Sequence, residues 1–297
     1  MDNSILLTVF TPTFNRAHTL PRTFASLKEQ EEKCFEWLVI DDGSTDETKS
    51  IVESWMKDDN GFTIRYIYKE NGGMHTAYNV AYENIQTELN VCIDSDDCLA
   101  PDAARKIKER WDQVKGKGYA GLIGLDADMK TGEIIGSGFP EGMNETNYSK
   151  YYGSGGYGDK KFVYRTDVIK KYPPYPVYRG ENYVGIACKF ALIDQDYKLA
   201  VLNDVLCNVE YQLDGHSKTM FKSYLQNPKG FSYYRRIMMK YPVSKKRLII
   251  DTIHYVSSSL ISHNRNFLKE SPRKTLTLLM IPAGVLLTQY IYYKTRE

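Results

Sequence analysis

The sequence predicts an α/β fold built on a doubly wound, mostly parallel sheet. Two observations support this prediction: three strand–helix units follow one another before residue 89, and polar loops follow the first, second and fourth strands. Units of this length favour right-handed crossovers, which place their strands parallel. The polar loops would then collect at one edge of the sheet, where open α/β sheets bind ligands.

Short apolar runs rich in β-forming residues predict the strands of the first half. They cover residues 5–11, 35–40, 62–68 and 89–93. Apolar residues at helical spacing predict the helices between them. The first should end near Gln30, the second should begin at a capping box of Ser44 and Glu47, and the third should cover residues 76–85.

The second half is predicted to mix strands and helices. Strands are expected at residues 119–125, 162–165 and 199–211, a hairpin turn at 130–132, and helices after Pro101, from Asp167 and over 181–194. Residues 153–158 match G-x-G-x-x-G, but they precede a strand instead of linking a strand to a helix. They are therefore no dinucleotide-binding fingerprint.

Composition and charge exclude several classes of protein. The chain has 297 residues and a formal net charge of +2, so no overall charge attracts it to nucleic acid. Its five cysteines are odd in number and lack C-x-x-C spacing, which favours reduced, buried side chains over disulfides or zinc ligands. No P-loop motif occurs, and no basic segment precedes the N-terminal apolar run, so no signal peptide is predicted.

Four polar residues follow the fourth strand at once: Asp94, Ser95, Asp96 and Asp97. Carboxylates this close repel one another unless a cation or a hydrogen-bond donor lies among them. Hard oxygen ligands suit Mg²⁺ or Mn²⁺, which usually share their coordination with substrate phosphates. We therefore predict that Asp94 and Asp96 form a D-x-D site for a metal–diphosphate. The alternative is an acidic approach to the helix near Pro101, whose dipole Asp97 and Asp102 would complement.

The C-terminal part is predicted to be helical and basic. From Arg235 onward there are 12 lysines or arginines against three acidic residues. Between Lys274 and Lys294 no residue is charged, but a spanning helix needs about 20 apolar residues, and Pro282 interrupts this one. We expect an interfacial, membrane-associating anchor on anionic lipid. The alternative is a terminal helix docked on the rest of the protein.

Four motifs, in this order and spacing, resemble those of the inverting glycosyltransferases of family 2, which have the GT-A fold. They are TPTFNR (residues 11–16), DDGSTDE (41–47), NGGMHTAYN (71–79) and DSDD (94–97). The set is far more specific than any of its members. The resemblance covers residue 5 to about 217. It implies a catalytic domain over residues 1–218, with a nucleotide-sugar half (1–125) and an acceptor half (126–218), and a helical extension over 219–297.

The resemblance also implies a donor site. The first loop would lie along the nucleoside, and Asp42 would accept a hydrogen bond from the uracil ring N–H, because a carboxylate is only an acceptor. The NGGM loop would offer free backbone amides to the diphosphate, with Lys69 or His75 adding positive charge. Asp96 would bind Mn²⁺ or Mg²⁺ directly, with Asp94 nearer the ribose or a water. The implied donor residues are Pro12, Thr13, Phe14, Asn15, Asp42, Lys69, Gly73, His75 and Asp94.

Simpler interpretations exist for two of these residues. For Asp42 the alternative is turn chemistry, and for His75 it is a structural hydrogen bond. The neighbouring motifs favour the nucleotide role for Asp42, whereas His75 taken alone is more simply explained as a structural hydrogen-bonding residue.

An inverting transfer needs a base for the acceptor hydroxyl, and many relatives carry Glu-Asp at the corresponding position. Here RGENY (residues 179–183) places Asn182 where that aspartate would be, and an amide cannot accept the proton. Either Glu181 is the base, which we predict, or the correspondence is off by one residue. The alternative for Glu181 is a solvated helix start. His216 could reach the metal, but a turn histidine is the simpler interpretation.

These expectations describe a metal-dependent transferase of hexose or N-acetylhexosamine. It would move the sugar from a nucleotide diphosphate, UDP by the argument on Asp42, to a hydroxyl of a lipid-linked glycan in cell-surface polysaccharide synthesis. Its place would be cytoplasmic, at the inner face of the cell membrane, with no nucleic-acid partner. Two alternatives stay open: transfer to a polyprenyl phosphate, which needs no base, and a catalytically degenerate subunit that only binds nucleotide sugars.

Overall fold

The structure, a computed structural model, describes residues 5–210 and 220–296. The strands within these residues are β1 Leu7–Thr13, β2 Phe35–Asp41, β3 Ile64–Tyr68, β4 Leu89–Cys92, β5 Cys98–Leu99, β6 Gly121–Asp128, β7 Glu145–Thr146, β8 Lys160–Arg165 and β9 Leu199–Val209. They form one sheet in the order β3-β2-β1-β4-β8-β6-β9-β5, with β7 beside β9.

Helices alternate with the strands in the first half and dominate the C-terminal part. They are α1 Leu20–Lys28, α2 Thr48–Trp55, α3 Met74–Asn84, α4 Ala103–Val114, α5 Tyr148–Gly153, α6 Thr166–Ile169, α7 Ala187–Ile193, α8 Met220–Gln226, α9 Pro228–Lys240, α10 Lys245–Ile261, α11 Phe267–Glu270, α12 Lys274–Leu279 and α13 Ile281–Lys294.

Six of these strands run in the same direction. β1 is parallel to β2 and β4, and β2 is parallel to β3. β8 is antiparallel to both β4 and β6, so β6 runs with β4, and β9 is parallel to β6. The predicted α/β class with a mostly parallel sheet is confirmed. The second half of the sheet is mixed because β8 enters between β4 and β6.

Helices cover both faces of the sheet, as a doubly wound fold requires. Trp37 and Val39 of β2 pack with α1, α2 and α4 on one face, whereas Leu38 and Ile40 pack with α3 and α7 on the other. Successive side chains of a strand point to opposite faces, which is why this run is apolar throughout. Fully burying one such aliphatic side chain stabilises the fold by about 1.5–3 kcal/mol. The two apolar layers fix the strand ends that carry the polar loops.

Two local predictions are wrong. The capping box of Ser44 and Glu47 does not form: α2 begins at Thr48, whose N–H (3.0 Å) and hydroxyl (2.6 Å) donate to the carboxylate of Asp46. The helix expected over residues 181–194 starts only at α7, because the preceding residues bond to the N-terminal region of α9 instead of forming a helix of their own.

Helices α8–α13 form a layer that contacts the sheet domain where α9 packs against α7. α10 lies at its centre and contacts α9, α12 and α13. The guanidinium of Arg235 in α9 lies 2.5 Å from the buried carboxylate of Asp251 in α10. Arg247 of α10 also pairs with Asp251, at 3.3 Å. Removing Asp251 would leave the buried guanidinium of Arg235 uncompensated, so this ion pair ties the two helices together.

The apolar segment between Lys274 and Lys294 is divided into α12 and α13 at Met280, beside Pro282. Among the residues described, none of the helices combines the length and the apolar character needed to cross a membrane. α13 packs along α10, as the docked-helix alternative expects. The predicted boundary between residues 218 and 219 lies outside the described residues.

Candidate active site

The loops after β1 and β2 are tied together at the carboxyl edge of the sheet. The Asp42 N–H donates to the carbonyl of Thr13 (2.8 Å), and the Asn15 N–H donates to the hydroxyl of Ser44 (2.9 Å). The Asn15 side chain accepts in turn from the N–H of Thr45 (2.8 Å). Asn15 has a φ of 53°, a left-handed conformation that asparagine adopts more readily than most residues. The predicted meeting of these two loops is therefore present.

Burial changes abruptly along the segment that ends β1 and begins the following loop. Pro12 and Thr13 end β1 and are buried, whereas Phe14 is 46% exposed. Of the four predicted residues in this loop, Phe14 is thus the one that offers its side chain to solvent, with the half-buried Asn15 beside it.

The buried carboxylate of Asp42 organises the loop after β3. It accepts hydrogen bonds from the backbone N–H groups of Gly72 (3.0 Å) and Gly73 (2.7 Å) and from the side-chain amide of Asn71 (3.3 Å). It also forms an ion pair with Lys69. We call residues 69–73 the donor loop. A carboxylate has about four acceptor sites, so this network occupies them all.

This network corrects one expectation about the donor loop. The amides of Gly72 and Gly73 are not free for a diphosphate, because both donate to Asp42. The predicted bond from a nucleotide ring N–H to Asp42 stays a prediction, and it requires one of the present donors to give way.

His75 is buried in the first turn of α3, with 1% of its surface exposed. Within the described part of the chain, neither of its ring nitrogens has a hydrogen-bond partner. Burial lowers the pKa of His75 to about 4. Burial of the imidazole opposes a positive charge on His75, and the expectation that it adds charge near a bound diphosphate stays a prediction. The Lys69 charge is present but is balanced by Asp42.

We call residues 94–97, which follow β4, the acidic turn. The Asp97 N–H donates to the carbonyl of Asp94 (3.0 Å), and the Thr23 hydroxyl donates to the carbonyl of Asp97 (2.8 Å). The guanidinium of Arg22 donates to the carbonyl of Asp96 and pairs with Glu210 at 2.6 Å. Helix α1, which carries Thr23 and Arg22, therefore holds the acidic turn in place.

Burial dominates the electrostatics around the acidic turn. It raises the pKa of Asp97 to about 7 and that of Asp126 to about 6, and it raises the pKa of Asp94. The buried ammonium of Lys161, 3.8 Å from Asp126, opposes all three shifts. Burial disfavours the charge on Lys161 as well, but the carboxylates, Asp126 foremost, raise its pKa above the ordinary value. Five acids, counting Asp96 and Asp159, share the ammonium groups of Lys161 and Lys160, so the surroundings of the acidic turn favour a further positive charge.

The side chains present fit a metal that is shared with a substrate. Among the described residues there is no group of three or more His, Cys, Asp or Glu side chains that forms a metal cage. Mg²⁺ and Mn²⁺ accept one or two carboxylates when phosphate oxygens and water complete the shell, and Asp94 and Asp96 supply hard oxygen donors of this kind. His216, the other residue considered for the metal, lies outside the described residues.

The predicted base, Glu181, lies beside the donor loop but bonds to α9. Its two carboxylate oxygens accept the backbone N–H groups of Lys229 (3.1 Å) and Gly230 (2.8 Å). The next residue, Asn182, packs its carbonyl oxygen against Gly73, where a Cβ atom would overlap it. The alternative of a solvated helix start is wrong, since Glu181 is half-buried and starts no helix of its own.

Sequence reasoning missed three residues of this site: Arg22, Lys161 and Asn227. Arg22 lies in an ordinary amphipathic helix, and Lys161 is one of two adjacent lysines at the start of a strand. Asn227 precedes α9 and receives the N–H of Asn182 (2.7 Å). None lies in a recognisable motif, because each acts on a partner distant in sequence.

Comparison with known proteins gives a family match over more than half of the chain. The model of Glycosyl transferase family 2 matches residues 8–172. The GalNAc(5)-diNAcBac-PP-undecaprenol beta-1,3-glucosyltransferase of Campylobacter jejuni is 32% identical over 130 residues, 43% of this chain. The putative teichuronic acid biosynthesis glycosyltransferase TuaG of Bacillus subtilis is 33% identical over 101 residues, 34% of this chain. Each match spans 40% of the relative's own length.

Solved structures share the whole fold. Staphylococcus aureus TarS 1-349 in complex with UDP-GlcNAc has a TM-score of 0.59 at 16% identity, covering 98% of this chain and 91% of that one. The mannosyltransferase PcManGT from Pyrobaculum calidifontis, in complex with GDP-Man and Mn²⁺, has a TM-score of 0.55 at 15% identity, covering 96% and 87%. These likenesses confirm the predicted GT-A fold.

Proposed function

The chain belongs to glycosyl transferase family 2, and we propose that it transfers one sugar from a nucleoside diphosphate to a hydroxyl group of a glycan, with inversion at the anomeric carbon. One observation carries the proposal: the acidic turn and the Asp42-centred donor loop follow strands of one parallel sheet and lie at its carboxyl edge. Open α/β sheets bind their ligands at this edge.

We propose a UDP-linked donor. Asp42 supports uracil over adenine or cytosine because a carboxylate accepts from a base with a ring N–H, and the choice of uracil over guanine, which also has one, is part of the proposal. The exposed ring of Phe14 lies in the loop that bonds to the Asp42 segment and offers a face on which a base can stack. The TarS complex holds UDP-GlcNAc on the same fold, which is consistent with this choice.

We propose that Asp94 and Asp96 hold Mn²⁺ or Mg²⁺ together with the donor diphosphate. When bound, the cation would neutralise charge that develops on the departing nucleoside diphosphate. Arg22 fixes the backbone of Asp96 through its carbonyl, and Lys161 balances part of the charge behind the turn. The bond from Arg22 holds the backbone of the acidic turn in place before the substrate arrives, which lowers the reorganisation cost of the reaction.

We propose Glu181 as the base. The acceptor oxygen forms a bond to the anomeric carbon on the face opposite the diphosphate, the bond from that carbon to the phosphate oxygen breaks, and the hydroxyl proton passes to Glu181. The two N–H donors of α9 leave about two acceptor sites on the carboxylate for this proton. They also fix the orientation of the carboxylate.

We propose that the acceptor is a lipid-linked glycan and that the C-terminal helices lie on the inner, anionic face of the cell membrane. Large apolar side chains are exposed on α12 and α13, among them Leu279 (65%) and Leu286 (66%), and the basic Lys274 and Lys294 flank the pair. An apolar surface flanked by basic residues favours interfacial binding to anionic lipid. The catalytic domain would comprise residues 1–218 and the membrane-facing layer residues 219–297.

The test is release of UDP from UDP-sugars in the presence of Mn²⁺, with and without a chelator. Wild type should be active only with the metal, and Asp96→Ala should lose roughly 100-fold or more, since several kcal/mol of barrier depend on the metal. Asp112→Ala, which removes an exposed acid of α4, is the matched control and should keep wild-type activity. Equal activity of wild type and Asp96→Ala, each with and without chelator, would contradict the metal assignment.

A second test distinguishes the acceptor classes. Glu181→Gln should lose turnover while binding UDP normally if the acceptor is a hydroxyl. Unchanged turnover of this variant would favour a phosphate acceptor, which is already ionised. No binding of any nucleotide by the wild type would favour a degenerate subunit.

A further inference from the structure

The segment that carries Glu181 and the N-terminus of α9 hold each other by reciprocal hydrogen bonds. Asn227 immediately precedes α9, yet its side chain does not cap that helix. Its Oδ1 instead accepts the backbone N–H of Asn182 at 2.7 Å. Glu181 takes over the capping role by accepting the N–H groups of Lys229 and Gly230. Each segment thus satisfies backbone groups of the other.

The segment of Glu181 is tightly packed against the N-terminus of α9. Asn227 is 2% exposed, and its side-chain amide donates to the carbonyl of Ser223 in α8 (3.1 Å), which fixes the direction of its oxygen. At Gly230 a Cβ atom would overlap the carbonyl oxygen of Tyr183, so the two backbones are in direct contact. The ring of Tyr183 stacks on Phe231 with centroids 4.4 Å apart. The segment is therefore seated on α9 by backbone and side-chain contacts alike.

The opposite side of the same segment contacts the donor loop. Gly73 has a φ of 88°, and a Cβ atom there would overlap the backbone of Asn182. The N–H of Gly73 donates to Asp42. Asn182 therefore lies between two elements: its N–H bonds to Asn227 and its carbonyl packs on Gly73. A continuous set of contacts joins the nucleotide end of the site to the C-terminal helices.

We propose that Asn227 is a positioning residue, which sets Glu181 and Asn182 against the donor loop, and that the start of α9 is in this way part of the active site. The inference rests on the proposed function, in which Glu181 accepts the acceptor proton. Without the bond to Asn227, the N–H of Asn182 loses its acceptor and the segment can move away from Gly73. A displacement of about 1 Å at a reacting group can cost roughly 100-fold in rate.

The two hydrogen bonds of the Asn227 side chain determine which substitutions test the proposal. Its oxygen accepts from Asn182 while its amide donates to Ser223. Aspartate keeps an oxygen for Asn182 and loses the donor, whereas alanine loses both. Ser244 is the matched control: it caps α10 in the same helical layer, accepting the N–H of Arg247 at 3.2 Å, and belongs to neither the donor loop nor the segment of Glu181.

The experiment compares Asn227→Ala, Asn227→Asp and Ser244→Ala with the wild type. We expect Asn227→Ala to lower kcat by roughly 10- to 100-fold while the Kd for UDP stays unchanged, because the donor loop keeps its bonds to Asp42. Asn227→Asp keeps an acceptor for Asn182 but sets a buried carboxylate against the Ser223 carbonyl, so it should recover only part of the lost kcat. Ser244→Ala should lower the melting temperature and leave kcat unchanged. A kcat of Asn227→Ala equal to that of Ser244→Ala would overturn the proposal.

Amide hydrogen exchange gives a readout that does not depend on turnover. Exchange at residues 181–183 should rise in Asn227→Ala and stay at the wild-type rate in Ser244→Ala. Equal exchange in the two variants would overturn the positioning role. A wild type that binds no nucleotide and transfers no sugar would instead contradict the proposed function, and the exchange data would still decide whether Asn227 holds this segment.

Discussion

The carboxylate of Asp42 accepts the backbone N–H of Gly73 at 2.7 Å, which joins the loop after β2 to the loop after β3. The same carboxylate pairs with Lys69. Because hydrogen bonds to a charged acceptor are stronger than neutral ones, this residue holds the donor loop in one conformation. The donor loop is thus held in place in the free protein, and a nucleotide ring that bonds to Asp42 must displace one of the present donors.

Replacing Asp42 with asparagine should weaken this assembly. An amide has one oxygen and no charge, so it cannot serve two backbone donors and Lys69 together. We expect Asp42→Asn to lower the free energy of unfolding by about 1.5–3 kcal/mol and to weaken UDP binding. Denaturant titration and calorimetry measure both effects. Asp58→Asn, which removes the charge of an exposed side chain, is the control. Equal changes in unfolding free energy and UDP binding for the two variants would contradict this role of Asp42.

A methyl group at Gly73 should be far more harmful than one at a comparable glycine. Gly73 and Gly116 have φ values of 88° and 83°, so alanine is strained at both positions. With a ψ of 160°, Gly73 also lies in a backbone region that is essentially restricted to glycine. Only at Gly73 would the new Cβ atom also overlap the backbone of Asn182, whereas nothing lies within 4 Å at Gly116. We expect Gly73→Ala to abolish turnover and lower the melting temperature well below that of Gly116→Ala. Similar melting temperatures and turnover for Gly73→Ala and Gly116→Ala would show that the contact between Gly73 and Asn182 is unimportant.

His75 should make the protein sensitive to acid. Its pKa is lowered from 6.5 to about 4 by burial, so between these values the unfolded chain binds a proton that the folded chain excludes. The stability contributed by the neutral imidazole is complete above about pH 6.5 and is lost as the pH falls towards 4. His75→Gln should reduce the loss of unfolding free energy over this range by up to about 3 kcal/mol. The exposed His18→Gln variant is the control, and an identical pH profile for the two would contradict this explanation.

Binding to lipid vesicles should depend on the exposed face of α12 and α13. Leu279 and Leu286 are 65% and 66% exposed, so serine at these positions should leave the fold intact. Each substitution removes about 1.5–3 kcal/mol of apolar burial, or roughly 10- to 150-fold in partitioning to anionic vesicles. Val177→Ser, at a residue that is 66% exposed in the sheet domain, should have no effect. Equal partitioning of all variants, measured by vesicle sedimentation, would exclude this face as the membrane contact.

The positions of the loops after β1, β2 and β4 could be predicted because successive strand–helix units follow regular rules of strand direction and crossover. Parallel strands bring their carboxyl ends to one edge, so the motifs after β1, β2 and β4 lie along that edge. The roles of individual residues depended on partners that no local pattern reveals. Ser44 looked like a cap for α2 but accepts from Asn15, and Glu181 caps a helix that begins more than forty residues later in the chain. The charge of Lys161 could not be placed either, because its burial among acids follows from the pairing of β8 between β4 and β6.

A crystal structure with UDP and Mn²⁺ tests the central claim most directly. The anomalous scattering of Mn²⁺ would locate the metal independently of any assumption about its ligands. We predict that it lies within coordination distance of the Asp96 carboxylate and of the diphosphate, with the uracil ring beside Asp42 and Phe14. Phosphates bound away from the acidic turn, or a metal that contacts neither Asp94 nor Asp96, would contradict the account.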